Sequence, residues 1–159
     1  MAKSVTTPLP LEVLKKFRVI FGSVRLHFRQ IEESCGVSGS QLWVLQEVAN
    51  HPGIGVSGLA DRLSIHQSTC SQLVEKLVAI GYLAKERSRE DQRRVGLALT
   101  REATRLLKKA PRPAQGLLPE ALSALPNEVL ASLDQGLATV ISQLQSSDEK
   151  FASRPLSDL

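Results

Sequence analysis

Between Val56 and Gly81 the apolar residues fall into two short helical runs parted by three residues, after which the period switches from 3.6 to 2. Val56, Leu59, Ala60 and Leu63 define the first run, and Cys70, Leu73, Val74 and Leu77 repeat its spacing after Ser64-Ile65-His66. Gly81 stops the second run. Val95, Leu97 and Leu99 then alternate with Gly96, Ala98 and Thr100, which predicts a strand, with Tyr82, Leu83 and Ala84 as its partner across the polar Arg87–Arg94 stretch. Two short helices around a tight turn, followed by a hairpin with a charged tip, make a winged helix-turn-helix.

The flanks are helical as well. From Leu11 to about Glu33, Leu14, Phe17, Phe21, Val24, Phe28 and Ile31 recur at steps of three and four, an amphipathic helix with a heptad-like stripe. Ser38 with Gln41 three residues on forms a capping-box pattern ahead of Leu42, Leu45 and Val48/Ala49, and His51-Pro52-Gly53-Ile54-Gly55 ends that helix. Arg101 to Lys109 reads as helix, Pro111, Pro113, Gly116 and Pro119 interrupt it, and a second stripe of Leu130, Leu133, Leu137, Val140/Ile141 and Leu144 runs from about Pro126 to Gln145. A winged helix buries its own core within roughly residues 38–100, so the flanking stripes need another partner. The expected fold is mainly α with a small β-hairpin: residues 35–100 form the winged helix-turn-helix, flanked by an N-terminal dimerisation helix (1–34) and C-terminal dimerisation helices (101–145), with a frayed, flexible tail at 146–159. Leu14, Phe17, Phe21, Leu130, Leu133, Leu137 and Ile141 are the expected homodimer contacts; packing of these stripes on the winged domain itself is the alternative.

The net charge of +4 over 159 residues says little until it is resolved along the chain. Residues 1–34 carry +3, residues 35–81 carry −1, residues 82–109 carry +5 and residues 110–159 carry −3. The basic segment therefore coincides with the hairpin and the helix after it, a localised anion-binding surface. Six aromatic residues are too few for a base-stacking platform, and no apolar run approaches the ~18 residues of a membrane span. Met1 to Leu11 lacks the charged-then-apolar pattern of a signal peptide, and two cysteines cannot build a disulfide scaffold, so a cytoplasmic setting is expected.

The hairpin sequence Asp91-Gln92-Arg93-Arg94-Val95-Gly96-Leu97-Ala98-Leu99-Thr100 resembles the wing of the MarR family of bacterial transcriptional regulators, whose pattern is Asp, any residue, Arg, three residues, then Leu, any residue, Leu-Thr. Leu59-Ala60, Leu63, Ser68-Thr69-Cys70-Ser71 and Leu73-Val74 through Leu77 to Gly81 fit the helix-turn-helix of that family, and the resemblance runs from about residue 11 to 145. It implies a dimeric duplex-DNA-binding regulator, a repressor, acting on a pseudo-palindromic operator with its recognition helices roughly 34–36 Å apart. It implies further that Arg93 enters the minor groove while Asp91 holds the guanidinium or the hairpin in place, and Lys85, Arg87, Arg89 and Arg94 would meet phosphates. The face of the second helix opposite its apolar residues presents Gln67, Ser68, Ser71, Gln72 and Lys76 to the major groove. Gln72 stands where the family often has Arg, and His66 where Ser, Thr or Asp commonly caps the helix, which points to an altered base preference. The resemblance also implies a small aromatic or phenolic ligand between the dimer arm and the winged lobe; Phe17, Phe21 and His27 are candidate contacts, though they read first as dimer-core or surface residues.

Other chemistries are poorly supplied. Cys35 and Cys70 read as structural thiols, with a cysteine-based redox switch as the alternative, and His27, His51 and His66 lie too far apart in sequence for a metal motif. No nucleophile–base, paired-carboxylate or phosphate-loop signature is present, so neither an enzyme nor a cofactor is expected. A winged helix that binds a protein partner rather than DNA is the remaining competitor.

Overall fold

A computed structural model describes residues 8–88, 91 and 93–159. Helix α1 spans Leu9–Cys35, α2 Gly39–Asn50, α3 Val56–Leu63 and α4 Gln67–Ala79; the strands β1 (Leu83–Arg87) and β2 (Val95–Leu99) follow, then α5 (Arg101–Lys109), α6 (Leu117–Ser123) and α7 (Asn127–Ser142). The mainly α fold with one hairpin is that of a winged helix-turn-helix with helical flanks.

Local chemistry sets the boundaries. Gly36 closes α1 in the left-handed region at φ 67°, where its N–H reaches the Glu32 carbonyl, and glycine takes this conformation without a Cβ clash. Ser38 and Gln41 form the full reciprocal capping box at the start of α2. The turn between α3 and α4 pivots on Ser64, whose φ of 54° makes it the one non-glycine residue with a left-handed backbone among the described residues. Its N–H is satisfied by the Ala60 and Asp61 carbonyls.

The main core lies inside the winged lobe. Val44, Leu45 and Val48 of α2 pack with Leu59 and Leu63 of α3, Leu73, Val74 and Leu77 of α4, and Leu83 and Leu97 of the hairpin. A second cluster of Ile31, Val37, Leu42 and Ala114 joins the end of α1 to the other side of α2 and to the loop before α6. At the surface of the main core, Glu47 links three side chains. Arg62 Nε donates to its Oε2 at 2.7 Å and Trp43 Nε1 to its Oε1 at 3.4 Å, with His51 Nδ1 at 3.6 Å from Oε2. This buried carboxylate fixes the last turn of α3 onto α2, a charge-assisted contact at the lobe's edge.

The hairpin is stitched to the lobe through β2. β1 pairs antiparallel with β2 from Leu83↔Leu99 to Arg87↔Val95. On the other edge of β2 the loop before α3 supplies a short third rung: Gly53 N–H donates to the Leu97 carbonyl at 2.9 Å and Leu97 N–H to the Ile54 carbonyl at 2.9 Å. The backbones approach so closely there that a Cβ at Gly96 would stand 2.6 Å from the Gly53 carbonyl oxygen. Thr100 closes the base of the hairpin by donating its hydroxyl to the Gly81 carbonyl at 2.7 Å and accepting the Ala103 N–H at the start of α5.

The flanks are less covered. α7 buries none of its residues, and on α1 only His27 and Ile31 are buried. The chain from Ser146, expected to fray, instead forms 3-10 turns at Glu149–Ser153 and Leu156–Asp158 that return to the start of α2. No described helix is long and apolar enough to cross a membrane.

Gly96→Ala forces a Cβ into the Gly53 backbone, so we expect it to destabilise the protein by about 1–3 kcal/mol in urea unfolding, the range for overpacking a tight contact. A cost near zero would show that the loop and the wing are not tied as described.

Candidate nucleic-acid interface

α4 divides cleanly between two environments. Cys70, Leu73, Val74 and Leu77 are buried in the lobe, while Gln67, Ser68, Gln72 and Lys76 are exposed and Ser71 is half-buried. The packing of one face thus aims the other outward, a continuous strip of amide, hydroxyl and ammonium groups suited to base edges and phosphates. His66 occupies the N-cap position with extended backbone and makes no side-chain cap. The first-turn N–H groups of α4 therefore lack the side-chain acceptor that Ser, Thr or Asp would supply.

The wing carries its cations at the tip. Arg87, Arg93 and Arg94 are all exposed, and Arg93 makes no ion pair among the described residues. Arg89 lies outside the described residues. Asp91 shapes the turn: its Oδ1 accepts the Arg93 N–H at 3.0 Å, its carbonyl accepts the Arg94 N–H at 2.9 Å, and its own N–H points to Ser88 Oγ at 3.4 Å. Its carboxylate lies 3.9 Å from the Arg94 guanidinium, so Asp91 holds the backbone around Arg93 and leaves that side chain projecting. An open groove between the wing and the loop before α3 is lined by Gly53, Gly55, Arg87, Ser88, Arg94 and Gly96 among others.

Lys85 has a different setting from the other cations. Its ammonium is ion-paired with Glu75 on α4, an exposed pair that links the root of the wing to that helix and adds little to stability. Glu75, Ser88 and Thr100 are the positioning residues that periodicity does not single out. Only Thr100 had a sequence signal, as the last residue of the wing pattern.

The remaining candidates separate. His27 is buried on α1 and donates Nε2–H to the Pro113 carbonyl at 3.0 Å, whereas Phe17 and Phe21 stack on each other nearer the start of that helix with ring centroids 6.3 Å apart. Phe17 lines an apolar groove with Leu9, Val13, Leu14 and Val140, where the beginning of α1 meets the end of α7. These three residues therefore do not form one site. Cys35 is half-buried at the end of α1, and Cys70 is buried with its thiol 3.6 Å from the Val56 carbonyl. Burial pushes the Cys70 thiol up to about 11. Among the described residues no three His, Cys, Asp or Glu side chains gather as a metal site.

Comparison with known proteins adds to this geometry. The profile of the MarR family matches residues 36–94, from the end of α1 to the wing. The chain is 22% identical over 139 residues to the HTH-type transcriptional repressor MdtR of Bacillus subtilis (strain 168), across 87% of this chain and 89% of the relative. Its fold is similar to that of Streptococcus pneumoniae FabT in complex with DNA, with a TM-score of 0.58 and 18% identity over 83% of this chain and 94% of that one. It is similar also to the PcaV transcriptional regulator of Streptomyces coelicolor in complex with its natural ligand, with a TM-score of 0.54 and 23% identity over 90% and 99% of the two chains. At these identities the solved structures establish a shared fold.

The thiols give a direct check on the cysteine chemistry. With its pKa near 11, Cys70 carries roughly one thiolate in a thousand at pH 8, and the thiolate is the reactive form. In native protein iodoacetamide should label Cys35 and spare Cys70 until urea unfolds the chain. Equal labelling of both thiols, read by peptide mass spectrometry, would show that burial does not shield the Cys70 thiol.

Proposed function

We propose that the chain, whose residues 36–94 match the profile of the MarR family, is a sequence-specific, ligand-responsive repressor that binds a pseudo-palindromic duplex operator as a homodimer. The observation that carries this reading is the pairing of two exposed surfaces. The outward strip Gln67, Ser68, Ser71, Gln72 and Lys76 on α4 stands beside a wing whose exposed Arg93 has no ion pair among the described residues. The strip fits a major groove, and an extended cation on a thin hairpin fits the narrow, electronegative minor groove beside it. Arg87, Arg89 and Arg94 serve phosphates. Lys85, spent on Glu75, orients the wing and contributes less to the DNA contact.

The homodimer is supported by what α1 and α7 leave uncovered. Leu14, Phe21, Leu133 and Ile141 are exposed, and Phe17, Leu130 and Leu137 are half-buried, on α7 and on the part of α1 that precedes His27. Large apolar side chains left exposed together on two helices are the kind of surface that marks an association site. A second copy also gives the two-fold that a palindromic operator requires. The DNA bound to FabT and the natural ligand bound to PcaV support the two kinds of partner, duplex DNA and a small molecule, which we take to be aromatic or phenolic and seated between the dimer arm and the winged lobe. No cofactor, membrane contact or catalytic step enters this reading, and we place the protein in the cytoplasm with its operator.

Arg93→Ala should weaken operator binding about tenfold or more and reduce the slope of log K against log salt by about one, the loss of one cation from the DNA. Lys85→Ala should change both by far less. An Arg93→Ala protein with unchanged affinity and salt slope would remove the wing from the interface. The double substitution Phe21→Glu, Leu133→Glu places charge in the shared apolar surface, and sedimentation should then report a monomer that no longer binds the operator. A dimer that survives this change would locate the interface elsewhere.

A further inference from the structure

The segment after α7 is held against the rest of the molecule at both of its ends. The Asp148 carboxylate accepts the Lys150 N–H at 3.0 Å and starts the first 3-10 turn. At the close of that turn the Ser153 carbonyl accepts the N–H of His66, the residue just before α4, at 3.3 Å. Pro155 follows and is buried. Ser157 Oγ then accepts the Ser40 N–H at 2.9 Å, and Asp158 Oδ1 accepts the Ser40 hydroxyl at 3.1 Å.

The surface that receives it is a cleft where the arm meets the winged lobe. Phe28 of α1, Gly39 and Trp43 of α2, and Pro119 of α6 form its walls around Pro155 and Leu156. Two features show that the fit is close. A Cβ at Gly39 would stand 2.4 Å from the Phe28 ring and 3.2 Å from Ser157 Cβ. The space left with the segment in place is about 30 Å³, room for one water and far below the few hundred Å³ of a small-molecule pocket. Ser40 is 3% exposed, so its hydroxyl depends on Asp158 and Ser38 for its partners.

We propose that this cleft is a peptide-binding site whose ligand is the chain's own segment Asp148–Asp158, and that docking of the segment positions the recognition helix. The segment joins the N-terminal ends of α2 and α4 through Ser40 and His66, so its departure frees the leading end of α4 and empties the space between arm and lobe. Most of its residues remain exposed while docked, which gives a hold that can open without unfolding the lobe. Covalent tethering keeps the local concentration of the segment high enough to make so small a contact effective. The docking itself stands on the contacts above, and its consequence for DNA rests on reading α4 as the recognition helix.

Trp43 is the single tryptophan of the chain and lines the cleft, so it reports occupancy without any label. The test compares the full chain, the same chain ending at Ser146, and a Pro155→Asp variant that puts a carboxylate in the buried position. We expect both altered proteins to show red-shifted Trp43 emission and at least twofold stronger acrylamide quenching, and a synthetic peptide of residues 147–159 to reverse the change in the shortened chain. Emission and quenching identical in all three would overturn the docking, whatever the DNA result. In the same proteins operator affinity should fall about tenfold, within the usual range of coupling between sites. Freed Trp43 with unchanged operator affinity would overturn the positioning role. Circular dichroism identical to the full chain confirms that the lobe is intact in each variant.

Discussion

The backbone of Leu97 is what turns a hairpin into a wing. A two-stranded ribbon is marginal on its own in water. Here β2 is bonded on both edges, to β1 and to Gly53 and Ile54, while the Leu97 side chain is buried in the main core. Gly96 permits this by bringing the two backbones to a distance that no Cβ could share. Because of that junction the charged tip is carried on a rigid root. Thr100 ties the base of the hairpin to Gly81 and to the start of α5, and the exposed Lys85–Glu75 pair links β1 to α4.

Within that body, charge is divided between holding and reaching. Glu75 and Glu47 each take a cation, Lys85 and Arg62, out of circulation to lock one element to another. Asp91 works differently, since its carboxylate accepts a backbone N–H and so shapes the turn while leaving the Arg93 guanidinium outward. A wing read only by counting basic residues assigns every cation the same job. The contacts separate one that is committed to the fold, Lys85, from those that stay available.

The sequence reveals what repeats. Apolar spacing places α1, α3, α4 and α7, the Ser38–Gln41 pair places the start of α2, and the alternation at Val95–Leu99 places β2, because each pattern is local and is repeated often enough to stand out. The outward strip of α4 follows from its inward one. The Lys85–Glu75 pair, the Gly53–Leu97 rung and the role of Ser88 are not legible, since each joins residues through a tertiary approach that leaves no periodic trace. The segment from Asp148 misleads for the same reason: a polar stretch reads as frayed, and only the buried hydroxyl of Ser40, over a hundred residues earlier, gives it a place to bind. Phe17, Phe21 and His27 share a helix but face different neighbours, so proximity in sequence joins residues that the fold keeps apart.

α2 is built into both hydrophobic clusters, with Val44, Leu45 and Val48 on the lobe side and Leu42 on the side of the arm. It is therefore an axle common to two bodies. A close-packed helix resists being stretched or bent, but rolling by a few degrees about its own axis repacks side chains without breaking a backbone bond. An α1 of 27 residues is a lever about 40 Å long at 1.5 Å per residue. A small roll at the axle is multiplied along such a lever into a large displacement at the far end of α1, so motion in this architecture is a matter of gearing more than of contact.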